Sequence, residues 1–207
     1  MVGMTKPLHD LRVFLSALRR RPAAIGAIAP SGPTLAGLLA SVAPSTGEPV
    51  VVELGPGTGS ATRALGRRLP ATARHLAVEI DGELVEHLRT AHPGLEVVHG
   101  DAAHLAKLLA ERDVQQVDAV ISGLPWALFP EELQRAILEQ VGAVLAPGGA
   151  FATFAYVHAL PMGRARRFRA LLAESFDEVI VTRVVWANVP PAISYICRRP
   201  VVRTDAG

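Results

Sequence analysis

The run Val50-Val51-Val52-Glu53-Leu54-Gly55-Pro56-Gly57-Thr58-Gly59 constrains this chain more than any other feature. It sets a β-rich stretch, an acid and three alternating glycines in direct succession. Glycine admits positive φ and lets a ligand approach the backbone. A helix opening at Ser60 would turn its free N–H groups and positive dipole end onto the same loop. Glu79 closes the next β-rich run, 20 residues beyond Gly59, where a carboxylate can accept hydrogen bonds from ribose hydroxyls. A dinucleotide fingerprint would need its third glycine at Ser60, and no Walker lysine follows the loop, so this spacing argues against both dinucleotide and nucleoside-triphosphate sites.

From about residue 49 the chain alternates β-rich runs with helical patterns, the rhythm of a parallel sheet flanked by helices. Strands are expected at 49–54, 75–80, 95–100, 117–122 and 150–156, with helices at 60–69, 82–91, 103–112 and 130–145 between them. A helix at 164–175 leads to two last strands, 178–186 and 193–199, turned by Asn188-Val189-Pro190-Pro191. That short connection implies an antiparallel edge on an otherwise parallel sheet of seven strands. Residues 1–47 read as an amphipathic helical extension. Leu8, Leu11, Leu15 and Leu18 form one stripe, Ser31-Gly32-Pro33 is a helix-start signature, and Leu35, Leu38, Leu39 and Val42 form a second stripe. Residues 48–200 are expected to form the main sheet-bearing domain and 201–207 a tail.

Composition narrows the setting. Half of the 207 residues are hydrophobic and 19% are charged, as in a folded globular chain, while a mean hydropathy of +0.30 leaves apolar surface for lipid or a partner. The lone Cys197 excludes an intramolecular disulfide framework and a cysteine-based zinc site. The seven histidines share no metal-ligand spacing, so no metal is expected. No signal peptide or membrane-crossing stretch is apparent, which favours the cytoplasm, and a monomer is expected. The net charge of +2 is uneven: residues 1–47 carry five cations against Asp10 alone, and Arg164, Arg166, Arg167 and Arg169 form a second cluster. Either group could meet phosphates or be a solvated helix face.

With Glu53 before the loop and Glu79 near the end of the second strand, the pattern fits the S-adenosylmethionine loop of class I methyltransferases, a Rossmann-like α/β fold. Ile28-Ala29-Pro30-Ser31, Glu53 through Gly59, Ser122-Gly123-Leu124-Pro125, Phe154-Ala155-Tyr156 and Asn188-Val189-Pro190-Pro191-Ala192 occur in that order. On these motifs the chain, from about Phe14 to Arg199, resembles the bacterial phospholipid N-methyltransferases, which methylate phosphatidylethanolamine. It is similar, more distantly, to rRNA adenine dimethylases. The resemblance implies S-adenosylmethionine as methyl donor, with Glu53, Gly55, Gly57, Thr58, Gly59, Glu79, Ile80, Asp101, Ala102 and Ser122 as candidate cofactor contacts. It also implies that Ser122–Pro125 lines the methyl-transfer site, and that the amphipathic start, residues 6–21, meets the inner membrane face. Adenine dimethylases carry Asn or Asp where this chain has Ser122, which counts against a nucleic-acid acceptor. Tyr156 is followed by Val157-His158 where the lipid family leads us to expect glycine and proline.

Methyl transfer is an in-line displacement, so the protein chiefly has to place a neutral amine and exclude water. Tyr156, Ser122 and Pro125 are the candidate catalytic residues; Trp126, Tyr156 and Arg164 are the candidate substrate contacts. Each has a plainer alternative. Asp101 can simply cap a helix, Tyr156 and Trp126 can be core, and Arg164 can be solvated. His158 could take the substrate proton or be incidental. The first helix could bind membrane or close over the cleft. Trp186 is expected to pack within its strand.

Overall fold

The computed structural model describes residues 32–201. Seven strands form one sheet in the order β3-β2-β1-β4-β5-β7-β6: β1 (Val50–Leu54), β2 (Arg74–Glu79), β3 (Glu96–His99), β4 (Val117–Ser122), β5 (Leu145–Tyr156), β6 (Phe176–Val181) and β7 (Ala192–Pro200). The helices are α1 (Pro33–Ala40), α2 (Ser60–Arg68), α3 (Gly82–Ala91), α4 (Leu105–Ala110), α5 (Glu131–Val144) and α6 (Gly163–Ser175). β1 to β5 run parallel, and β7 runs antiparallel to both β5 and β6. This is the seven-stranded, mostly parallel Rossmann-like sheet with an antiparallel edge that the sequence led us to expect.

Parallel strands covered on both faces should read as continuous apolar runs. β1 obeys this, with Val51, Val52 and Leu54 fully buried. One face packs Trp126, Phe129, Phe151 and Phe168 under α5 and α6. The other packs Leu35 and Leu39 of α1 with Leu65 of α2. Of the helix-start signature, Pro33 occupies the first turn of α1 and Gly32 its N-cap, while Ser31 lies outside the described residues. Asp81 caps α3 by accepting from the amides of Glu83 and Leu84, worth about 1 kcal/mol.

Three elements differ from expectation. The helix expected at 103–112 is a 3-10 turn (Ala102–His104) followed by the short α4. It stops because Asp113 adopts φ 57 while the Val114 amide donates back to the Leu109 carbonyl, a left-handed cap. β5 begins at Leu145 rather than Ala150, with Pro147-Gly148-Gly149 looped out where its register against β4 shifts. β6 ends at Val181 instead of Trp186. The Thr182 hydroxyl accepts the Ser194 amide, and only an isolated Val185–Ala192 bridge follows. Trp186 therefore lies outside the ladder and is 73% exposed, against the expectation that it packs.

The amphipathic stripe at Leu8–Leu18, the interfacial contact at 6–21 and the last six residues of the tail lie outside the described residues. Among the described residues no helix is long and apolar enough to cross a membrane.

Candidate functional site

β1 neighbours both β2 and β4, so the chain leaves β1 and β4 in opposite directions at the sheet centre. Open parallel sheets hold their ligands at this switch point, beyond the carboxyl ends of the strands. Backbone hydrogen bonds stitch those ends together: the amides of Gly55, Gly100 and Gly123 donate to the carbonyls of Val78, Glu79 and Leu54 at 3.0, 2.9 and 2.8 Å.

The loop after β1 takes the shape its glycines allow, with φ of +64, +57 and +80 at Gly55, Gly57 and Gly59. At Gly57 a Cβ would meet no atom within 4 Å, so the backbone there faces outward as a cradle. Its amide points at Glu79 Oε2 at 3.3 Å. Glu79, 6% exposed, also accepts from the Ile80 and Asp81 amides through Oε1. Burial lifts its carboxyl above the ordinary carboxylate range, while the amides of Asp81, Gly57 and Ile80 pull it back. A desolvated carboxylate held by three amides, beside a glycine loop that leaves open space at Gly57, suits a group with sugar hydroxyls at one end and a carboxylate at the other. The residues present thus fit S-adenosylmethionine.

Of the other candidates on this side, Glu53 is buried and points beneath the loop, where Oε2 accepts the Thr62 hydroxyl at 2.7 Å. The His75 Nε2 lies 3.5 Å from the same oxygen without forming a hydrogen bond. Glu53 therefore braces the loop from below. Thr58 is exposed on the loop, Ile80 is half-buried, and Ala102 is buried. Asp101 Oδ1 caps the 3-10 turn through the Ala103 amide. That is the plainer of its two expected roles, and Oδ2 can still serve the other.

The acceptor side is different. A cavity of about 290 Å³ opens beside Gly123–Leu128, walled by Phe154, Tyr156, His158, Met162 and Phe168. Ser122 is fully buried below it, its Oγ accepting from the Leu124 amide and the Trp126 indole. Its hydroxyl therefore shapes the Gly123–Pro125 turn and does not face the cavity as an exposed reactive group. Trp126 lines the cavity but is 2% exposed, stacked on Phe168 at 4.4 Å. It is core and floor together, not a free-standing wall. Tyr156 is buried, with its ring parallel to that of the exposed His158 at 5.6 Å. Burial raises the Tyr156 phenol, which stays neutral at physiological pH. Arg164 is exposed at the rim and donates to the Leu128 carbonyl at 2.8 Å.

Four positions have roles that the sequence reading did not give them. A Cβ on Gly123 would lie 2.6 Å from the Gly55 carbonyl oxygen, so this glycine permits the two loops to touch. Its place directly after a strand could have signalled this. His92 lies under Gly59, with its Nε2 2.7 Å from where a Cβ would stand, and burial lowers its pKa. Gln134 is buried and donates to the carbonyls of Trp126 and Phe129, pinning the acceptor loop to α5. Asn188 is buried and accepts the Gly32 amide. No local pattern marks His92 or Gln134, and the sequence marks Asn188 only as the start of a turn and of a family motif. Among the described residues no cluster of His, Cys, Asp or Glu is placed to hold a metal.

Comparison with known proteins agrees with this geometry. A family model described as "Methyltransferase domain" matches residues 51–149. The chain is 36% identical over 194 residues to the ornithine lipid N-methyltransferase of Singulisphaera acidiphila, covering 92% of this chain and 97% of that one. It is 29% identical to the ribosomal RNA small subunit methyltransferase A of Mycoplasma capricolum over 42% of this chain and 33% of that protein. Among solved structures, TrmN from Thermus thermophilus superposes with a TM-score of 0.60 at 20% identity, over 80% of this chain and 48% of that one. Aeropyrum pernix fibrillarin with natively bound S-adenosyl-L-methionine gives 0.58 at 17% identity, over 78% and 73%. These two likenesses speak for the fold alone. An identity of 36% along nearly the whole length of a lipid-modifying enzyme, on this sheet and with this loop, means that the chain belongs to the bacterial lipid N-methyltransferase family of S-adenosylmethionine-dependent class I methyltransferases.

Proposed function

We propose that this enzyme N-methylates the primary amine of a membrane aminolipid at the inner, cytoplasmic membrane face. The reading rests on one observation above all: the cavity adjoining the cofactor loop has walls of Phe154, Tyr156, Met162 and Phe168, with no acid among its lining residues. The acceptor of the Singulisphaera relative makes an ornithine lipid the first candidate, and an ethanolamine phospholipid the second.

In this reading the amides around Gly57 and the Glu79 carboxylate hold S-adenosylmethionine, with Asp101 and Ala102 toward its adenine. When bound, S-adenosylmethionine supplies an electrophilic methyl carbon. The chain's own part is to prepare the amine. An ammonium has no lone pair, and an apolar cavity disfavours the charged form, so entry drives proton loss. Aromatic faces of Tyr156 and Phe154 hold the cationic product, and the neutral Tyr156 phenol can orient the nitrogen but cannot take its proton. His158, stacked on Tyr156 and exposed at the mouth, passes that proton to solvent. Ser122 and Pro125 act by shaping the turn that carries Gly123 against Gly55.

The RNA alternative lacks support at the acceptor side. Ser122 offers neither amide nor carboxylate to an adenine amino group, and its Oγ already accepts two N–H groups. The test is incubation with labelled S-adenosylmethionine and vesicles containing ornithine lipid or phosphatidylethanolamine, with total RNA in parallel. Label is expected in a lipid. Label in RNA alone, or in neither lipid, overturns the proposal.

A further inference from the structure

The loop between β6 and β7 is built to hold apolar side chains out in water. Trp186 is 73% and Val189 78% exposed, far outside the ordinary burial of such residues. Fraying does not account for this, because the loop is pinned at several points. The Val185 amide donates to the Ala192 carbonyl at 2.7 Å and the Asn188 amide to the Val185 carbonyl at 3.2 Å. The buried Asn188 side chain donates to the Pro190 carbonyl at 2.6 Å and accepts the Gly32 amide at 2.8 Å. The Val157 amide donates to the Pro191 carbonyl, tying the loop to the segment that carries His158.

Position adds to the case. Ala192, where the loop re-enters the sheet, pairs with Tyr156, the residue lining the acceptor cavity. Trp186 and Val189 therefore project from the end of the sheet where the cavity opens, and Met162, 47% exposed, lines that cavity. Charge decides what such a surface can meet. Residues 157–173 and 182–191 carry Arg164, Arg166, Arg167, Arg169 and Arg183, all exposed, and no aspartate or glutamate. Arg167 is shared with Glu131 at 3.3 Å. An anionic partner fits. A nucleic acid would use the arginines and could stack on an indole, but would gain little from Val189 and Met162. A bilayer interface accepts all of it: indole at the headgroup level, aliphatics just below, arginines on phosphates.

We propose that the Trp186–Val189 loop is a membrane-docking tip that inserts into an anionic lipid surface and sets the mouth of the acceptor cavity against it. This rests on the lipid-acceptor reading above and adds a second contact independent of residues 6–21.

Only Trp126 and Trp186 emit as tryptophans, and Trp126 is buried, so the difference between the native protein and Trp186→Phe reports on the tip. With vesicles of phosphatidylglycerol and phosphatidylethanolamine, the Trp186 component should shift to the blue and be quenched by lipids brominated near the glycerol. The double variant Trp186→Ser/Val189→Ser should partition about tenfold less onto those vesicles while methylating a short-chain, monomeric aminolipid at the native rate. No shift and no quenching, native partitioning by the double variant, or a shift produced by RNA and not by vesicles each overturns the docking tip. Loss of monomeric-lipid turnover in the double variant also overturns it, because the loop would then serve the chemistry. If the native protein methylates no aminolipid in either form yet Trp186 is quenched, the acceptor reading fails and the docking tip stands.

Discussion

The two halves of the carboxyl edge solve opposite problems. The half built from β1, β2 and β3 grips with backbone: loop amides at positive φ, a carboxylate held by three amides, and glycine-to-carbonyl links between neighbouring strand ends. The half built from β4, β5 and β7 presents side chains instead, an aromatic cavity with an arginine-bearing, apolar rim. Backbone recognition suits one invariable ligand, whereas a side-chain cavity can be retuned for another acceptor without disturbing the first half. The halves touch where Gly123 meets Gly55, and that contact is where the comparison breaks most readily.

Gly123→Ala is expected to have the largest effect. Its Cβ would stand 2.6 Å from a backbone oxygen that cannot move independently, so cofactor loop and acceptor turn must separate. Displacement of about 1 Å at a reacting centre costs on the order of a hundredfold. We expect kcat/KM to fall at least that far while circular dichroism still reports a folded chain. A fall below threefold would show that the halves are not mechanically joined.

Glu79→Gln comes next, striking the cofactor half alone. Losing a charge-assisted acceptor should weaken S-adenosylmethionine or S-adenosylhomocysteine binding about tenfold to a hundredfold by calorimetry. The raised carboxyl fixes the sign of the pH effect. In the native protein affinity should drop as pH falls and Glu79 takes up a proton, and the Gln variant should lose that slope. The same shift means that ionised Glu79 opposes folding, so its stability contribution declines as pH rises through the folded pKa. Equal slopes in both proteins would remove Glu79 from the site.

Tyr156→Phe sharpens the acceptor half. The ring stays and the phenol goes, so a few-fold loss in kcat with unchanged cofactor affinity is expected, measured with a saturating lipid acceptor. A change in cofactor affinity would mean that the halves are coupled through β5. The smallest effect belongs to Cys197, whose thiol burial pushes up to about 12. Thiolate is the reactive form, so alkylating reagents at neutral pH should leave native activity untouched, and rapid modification would show that the β7 core opens.

Much of the cofactor half was legible beforehand because its determinants are local. Val50–Gly59 is one strand, turn and helix start, and Glu79 follows at a distance that one βαβ unit dictates. β4 and α3 fell within their expected limits for the same reason. The early end of α4 is local, set at Asp113, whereas the early end of β6 is decided by a distant partner. Residues 183–186 have strand propensity, but β7 begins only at Ala192, and the Thr182 hydroxyl already occupies the Ser194 amide. From sequence Trp126 is either core or cavity wall, and Phe168, forty-two positions away, makes it both.

What the amino-acid order alone determined was the class of chemistry: a Rossmann-like sheet, a sulfonium cofactor and the loop that carries it, because glycine φ preferences and strand periodicity act over a few neighbouring bonds. Tertiary structure decided which side chains become surface and which become floor. It turned Ser122 inward onto an indole, brought Gly123 onto Gly55, and left Trp186 outside the ladder. Burial depends on what arrives from elsewhere in the chain, and that is settled only when the layers close.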